Sequence, residues 1–439
     1  MNSGPPLSRR GFLATSSAAM GVVAIDGAQA SDSEKLAIEG GPKAVVAPAP
    51  KLVRWGAPER EQLDAMIGQN SLFYWKGPRT TLFLERFRKV CPLPHAMSCS
   101  SGTAALHIAV AAAGIAPGDE VITSPITDVG TVIGVLYQQA VPVFADLGSD
   151  TYNLDPADVE RKITPKTRAI IAVHLAGNPC DLNALKAIAD RHKLILIEDC
   201  AQAWGARYKG RPIGTVGDVA CFSLQNSKQV TCGDGGVVAS ADAAIGPRLQ
   251  PFGDKGMDRV KGGGLFELFA TNYRMSEPQA AVAAAQMERV ETIAEKRSRL
   301  GSILNDELAD VAAVAPPAAR AEDRCSYWFY MMRIRPDALR CSRTEFVKAL
   351  AAEGAPVAEG YIPVPLYGNP IFQNHGFFAG RWPVKEMGLT EMDYSKVSCP
   401  EAEAILKTCF RLTIHEAMGE PYVRSLTAAV RKVARRYAV

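Results

Sequence analysis

The sequence predicts an α/β fold, with a mainly parallel sheet in a large domain followed by a smaller C-terminal α+β domain. Three observations lead there. Between residues 100 and 240, apolar runs of strand length alternate with helical patterns, which argues for a parallel sheet covered on both faces. From Glu277 to Asp310 the pattern is helical, with an Ala-rich first part that links two regions. Beyond it, strand-like and helical segments mix in a shorter stretch.

Taken in order, Gly102–Ala113 reads as a helix and Val121–Ser124 as a strand. Thr131–Gln139 is helical, Val141–Asp146 a strand, and Pro156–Ile163 a short helix. Arg168–His174 is a strand, Leu182–His192 a helix, and Leu194–Asp199 a buried strand that ends in an acid. Val219–Leu224 and Gly236–Ser240 are strands with little helix between them. In the C-terminal region, Tyr327–Ile334 reads as a strand and Arg343–Glu353 as a helix. An amphipathic helix over Tyr422–Tyr437 closes the chain. The expected division is 31–300 for the large domain and 301–439 for the small one.

Composition narrows the function classes. The 439 residues suffice for a large core and two domains. An apolar share of 47% and a charged share of 22% are those of a globular protein. A net charge of +3, with no basic block interleaved with aromatics, gives no reason to expect nucleic acid. The ten cysteines show no zinc-like spacing, so buried free thiols are expected and no metal site is assigned.

Residues 1–30 read as a removable signal. Ser8-Arg9-Arg10-Gly11-Phe12-Leu13 is a twin-arginine pattern, a weakly apolar stretch follows to Ile25, and Ala28-Gln29-Ala30 is a small-x-small cleavage site. The stretch is too short for a membrane span. The expectation is export of a folded protein to the periplasm, with a cytoplasmic enzyme carrying a nonfunctional tail as the alternative.

The chemistry concentrates between Glu198 and Gly236. Asp199 ends one apolar run, Lys228 follows a second, and glycines crowd behind it. Both lie at the carboxyl ends of expected strands, where ligands bind in such sheets. A pyridoxal phosphate (PLP) enzyme needs a lysine for the Schiff base and an acid that keeps the pyridine nitrogen protonated. Asp–Lys pairs are common, so spacing alone is a weak signal. The bland readings are a surface lysine and an aspartate that caps a helix. Gly102 and Thr103 open a helix, whose free N–H groups and positive dipole end suit a phosphate.

The motifs Glu198-Asp199-Cys200-Ala201-Gln202, Phe222-Ser223-Leu224 with Lys228, Gly233-Asp234-Gly235-Gly236, Ser101-Gly102-Thr103-Ala104-Ala105-Leu106 and Asn272-Tyr273-Arg274-Met275 stand in order. Together they resemble the DegT/DnrJ/StrS family of sugar aminotransferases, from about residue 36 to the C-terminus. The resemblance implies the fold-type I architecture with PLP as cofactor. It implies Lys228 as the Schiff-base lysine and proton carrier, and Asp199 as the pyridinium partner. Gly102, Thr103 and Ser223 would hold the phosphate, and Gln202 the ring hydroxyl. Asn272 would reach the phosphate from a second subunit, making a homodimer with shared sites.

Three departures stand out. Asp128, in Pro125-Ile126-Thr127-Asp128-Val129-Gly130-Thr131, occupies the place of an aromatic that the family stacks on the ring. Trp204 replaces a family histidine and reads equally as a lid or as core. Gly360-Tyr361-Ile362-Pro363 has lost the histidines of an acceptor-site element. His174 and His415 read as structural. The expected function is transfer of an amino group from glutamate or glutamine to a keto-sugar or cyclitol-like acceptor. The rivals are another PLP reaction, such as sugar dehydration, and an exported PLP-binding protein without turnover.

Overall fold

A computed structural model describes residues 35–262, 266 and 268–439. The twin-arginine segment and its cleavage site lie outside the described residues.

The large sheet is built from β1 (His95–Cys99), β2 (Glu120–Thr123), β3 (Val141–Phe144), β4 (Thr167–Val173) and β5 (Ile195–Asp199). A short ribbon of β6 (Arg207–Tyr208) and β7 (Arg211–Pro212) intervenes before β8 (Val219–Ser223) and β9 (Gly236–Ser240). The seven strands of the sheet run in the order β1-β9-β8-β5-β4-β2-β3. Only β9 runs against the others. It follows β8 without a crossover helix, as an antiparallel neighbour can.

Local chemistry explains the element ends near the site. Lys193 takes a left-handed conformation (φ 56°) and stops the helix Leu182–His192. The β-branched Ile195 and Ile197 then favour strand. Ser101 caps the helix Gly102–Ala112, its hydroxyl accepting from the Ala104 N–H at 3.0 Å. That helix is apolar on nearly every side and correspondingly buried.

The helical pattern over Glu277–Asp310 is two helices, Glu277–Met287 and Val290–Leu308. The first serves the large core, and the second starts in it with Val290 and Ile293 and ends in the second core. Ala280, Ala283 and Ala284 pack with Trp204 and Phe222 in the large core, whereas Leu300, Leu304 and Leu308 pack with Val430 and Val433 in the second.

The second sheet is antiparallel, in the order β10 (Val314–Ala315), β11 (Tyr330–Ile334), β13 (Cys409–Leu412), β12 (Val357–Glu359). Packing does not follow chain order strictly. Leu36 and Val45 join the second core, and Leu366, Phe372, Trp382 and Tyr394 join the first. All ten cysteines are free and most are buried. No described helix is long and apolar enough to cross a membrane.

Candidate active site

Strand register brings distant residues to one sheet edge. Cys99 and Ser223 both pair with Gly236, and Asp199 pairs with Cys221. The ends of β1, β5 and β8 therefore lie side by side. The helix that follows β1 starts against the end of β8: a Cβ on Gly102 would stand 2.7 Å from the Ser223 Cβ. Only glycine permits this approach. Gly130 is equally confined, since a Cβ there would meet Thr103 Oγ1 at 2.6 Å. The next residue, Thr131, donates from its hydroxyl to Asp199 Oδ2 at 2.8 Å. Ser223, Gly102, Thr103, Thr131 and Asp199 thus form one contiguous set.

Asp199 is buried, and its other oxygen accepts from the Ala201 N–H at 3.1 Å. Burial pushes its carboxyl above the usual carboxylate range, against the opposing pull of Thr131, Ala201 and Lys228. Lys228 is also buried. Burial lowers its amine to about 8, with Asp199 and Asp128 pulling the other way. Its Nζ lies 3.7 Å from the centre of the Trp328 ring. The backbone supports this position: the Lys228 N–H donates to Gln225 O at 2.9 Å and Arg54 donates to the Lys228 carbonyl at 2.6 Å. Trp328 is held in turn by its indole N–H, which donates to Ser227 O at 2.7 Å.

The other expected residues fall around this centre. Gln202 is buried; its oxygen accepts from the Ala176 N–H at 2.8 Å and its amide donates to the Tyr361 hydroxyl at 3.1 Å. Asn272 is exposed and bridges to Asp254 at the end of the loop that returns to β1. Asp128 is exposed and lies two residues before the helix Gly130–Tyr137, accepting from the Gly130 N–H at 2.8 Å. Trp204 is core, not lid: it is fully buried between Phe87 and Phe222 and donates to Ser223 O at 2.7 Å. His174 is structural, its Nδ1 accepting from the Cys180 N–H at 3.1 Å and its Nε2 facing Glu198 at 3.1 Å. Glu198 also accepts from the N–H groups of Gly214, Val216 and Gly217.

Thr131 and Trp328 were not assigned to the site from sequence, and Tyr361 stood only within a segment likened to an acceptor-site element. Thr131 stood in the segment carrying Asp128, and its position one turn from a conspicuous departure was the available signal. Trp328 lay in an aromatic run read only as strand.

Several features fit PLP. Among the described residues the buried Lys228 amine makes no hydrogen bond or ion pair, and Asp199 offers a buried carboxylate, the two groups that an aldehyde carbon and a ring cation would need. The N–H groups of Gly102 and Thr103 have no partner within their helix, and the Ser223 hydroxyl adjoins them. A phosphate would satisfy all three.

Comparison with known proteins agrees. Residues 57–431 match the DegT/DnrJ/EryC1/StrS aminotransferase family. The chain is 36% identical over 325 residues to GDP-perosamine synthase of Caulobacter vibrioides, covering 72% of this chain and 87% of that protein. It is 36% identical over 363 residues to the L-glutamine:2-deoxy-scyllo-inosose aminotransferase of Streptomyces kanamyceticus, covering 77% and 83%. The structure resembles an aminotransferase from Psychrobacter cryohalolentis with a TM-score of 0.79 at 27% identity, over 89% of this chain and 99% of that one. The chain therefore belongs to the DegT/DnrJ/EryC1/StrS aminotransferase family, whose members are fold-type I, PLP-dependent transaminases.

Proposed function

We propose that this aminotransferase moves an amino group from glutamate or glutamine to a keto group on a sugar or cyclitol-like acceptor. The observation that carries the reading is the buried Lys228 amine, which lies on the Trp328 ring face with no hydrogen bond or ion pair among the described residues. The names of the relatives support the substrate class, since they include a perosamine synthase and a glutamine-using cyclitol aminotransferase.

When bound, PLP supplies an electron sink for the carbon that carries the transferred nitrogen. The rest is the work of this chain. Lys228 Nζ, with a pKa of about 8, is about half neutral at that pH and can take and return a proton. Its closeness to the Trp328 face keeps water away from one side of the amine. Asp199 would hold the cation of the ring nitrogen, its carboxylate oriented by the Thr131 hydroxyl. Gly102, Thr103 and Ser223 would bind the phosphate and so orient the cofactor. Gln202, anchored at Ala176 and Tyr361, forms a wall of the site.

The test is a donor and acceptor screen on the PLP-loaded protein. Glutamate or glutamine should shift the cofactor's absorbance, and a keto-sugar or ketocyclitol should restore it. Lys228→Ala should abolish both changes. An unaltered spectrum with every amino donor would remove the reading.

Two further parts of the proposal concern the whole protein. Export by the twin-arginine route rests on Arg9, Arg10 and Ala28-Gln29-Ala30. Replacing both arginines with lysine should retain folded, PLP-loaded protein in the cytoplasm, and unchanged fractionation would refute export. A homodimer with shared sites rests on the family likeness around Asn272.

A further inference from the structure

Asp128, the acid that stands where an aromatic was expected, is built into the site with one oxygen to spare. Its Oδ1 accepts from the Gly130 N–H at 2.8 Å, a turn that aspartate makes readily with the backbone two residues on. The Thr131 N–H donates to the Asp128 carbonyl at 3.1 Å, and the Thr131 hydroxyl donates to Asp199. Thr103 Oγ1 and Asp128 Oδ1 lie 2.6 and 2.9 Å from the place that a Gly130 Cβ would take. The turn therefore fixes Asp128 beside the residues already described. Among the described residues its Oδ2 accepts no hydrogen bond, and no arginine, lysine or histidine pairs with it.

Two groups of the site feel this charge. Burial lowers the Lys228 amine, and Asp199 and then Asp128 pull it back up. Burial raises the Tyr361 hydroxyl, and Asp128 raises it further. Trp328 joins the two, carrying Lys228 Nζ on its face and meeting Tyr361 edge-on at 6.4 Å. Asp128 is also exposed, so a substrate can reach it. The proposed cofactor would engage Asp199 through its ring cation and Lys228 through its aldehyde. It leaves Asp128 as a negative charge with no assigned partner. A carboxylate bonds a charged donor about twice as strongly as a neutral one. The same charge, facing a phosphate, rejects the ligand that carries it. The donor's own amine is a poor occupant, because it must be neutral to react and a carboxylate would hold it charged. A second amine, one that takes no part in the transfer, suits the acid.

We propose that Asp128 is a specificity-determining residue whose free carboxylate oxygen receives an ammonium group of the acceptor and turns away acceptors that carry phosphate. The substrate class is then an amino-substituted keto-sugar or ketocyclitol without a nucleotide. The proposal deepens the aminotransferase reading and rests on it for the identity of the site.

The test is titration calorimetry on PLP-loaded protein with glucosamine, glucose and glucose 6-phosphate as probes, at a pH that keeps glucosamine protonated. Wild type should bind glucosamine best and glucose 6-phosphate least. Asp128→Asn keeps an oxygen for the Gly130 N–H and removes only the charge. It should weaken glucosamine binding roughly tenfold or more and leave glucose nearly unchanged. Asp128→Ser, which can also hold the turn, should lose the same preference. PLP uptake by cofactor-free protein gives a readout apart from any acceptor. Without the Asp128 charge, the pH at which uptake levels off should fall. Wild type that binds glucosamine no better than glucose overturns the proposal. So does a preference that survives in both variants, or an uptake profile that neither variant moves. Transamination is scored separately. A protein that prefers glucosamine through Asp128 yet takes nitrogen from no amino acid would remove the functional reading and leave the ammonium site standing.

Discussion

Lys228 is buried, with no hydrogen bond or ion pair on its amine among the described residues, and that sets a measurable pH dependence. Burial favours the neutral amine, so its pKa falls to about 8 from the 10.5 of an ordinary lysine. Only the neutral amine attacks an aldehyde. Uptake of PLP by cofactor-free protein should therefore speed up as pH rises to about 8 and level off above it. A rate still climbing in proportion to hydroxide at pH 10 would place the reactive amine on the surface. Lys228 and Asp199 were singled out in the sequence because Asp199 ends one apolar run, Lys228 follows another, and the ordered motifs around them resemble those of the family. Thr131 and Trp328 were not, because their contacts to the site are made across long sequence separations. No local pattern distinguishes a threonine that donates to Asp199 from one that caps a turn.

At the scale of elements, the site depends on a helix start pressed against a strand end. A Cβ on Gly102 would come within 2.7 Å of the Ser223 Cβ, so Gly102→Ala must push the helix off the strand. Overpacking of this kind costs about 1–3 kcal/mol. The displaced groups are the proposed phosphate donors, so PLP affinity should fall by more than stability does. Equilibrium dialysis beside a thermal melt measures both, and unchanged affinity would detach this helix from the cofactor. Most elements from Gly102 to Ser240 were legible through apolar runs and alternation. β1 and β13 were not: His95-Ala96-Met97-Ser98-Cys99 lacks β-branched residues, and Cys409–Leu412 spans too few residues to show a period. The break at Glu288–Arg289 was hidden for a different reason. Helical periodicity continues across it, and no glycine or proline marks it.

For the whole molecule, the two cores explain why residues 36–45 and 366–406 leave their neighbours in chain order to pack elsewhere. Nothing in local sequence announces such exchanges. The proposed shared-site dimer belongs to this scale. Asn272 is exposed in the single chain, as a residue serving a partner's site would be. Mixed protomers of Lys228→Ala and Asn272→Ala should recover activity through one intact site per heterodimer, whereas either variant alone stays low. A fully active monomer in sedimentation would refute the arrangement. The central claim is that these distant elements converge to present one lysine to PLP. Borohydride reduction of the PLP-loaded protein, followed by peptide mapping, tests it most directly. The account predicts the pyridoxyl group on the peptide that contains Lys228, and a label on any other lysine would contradict it.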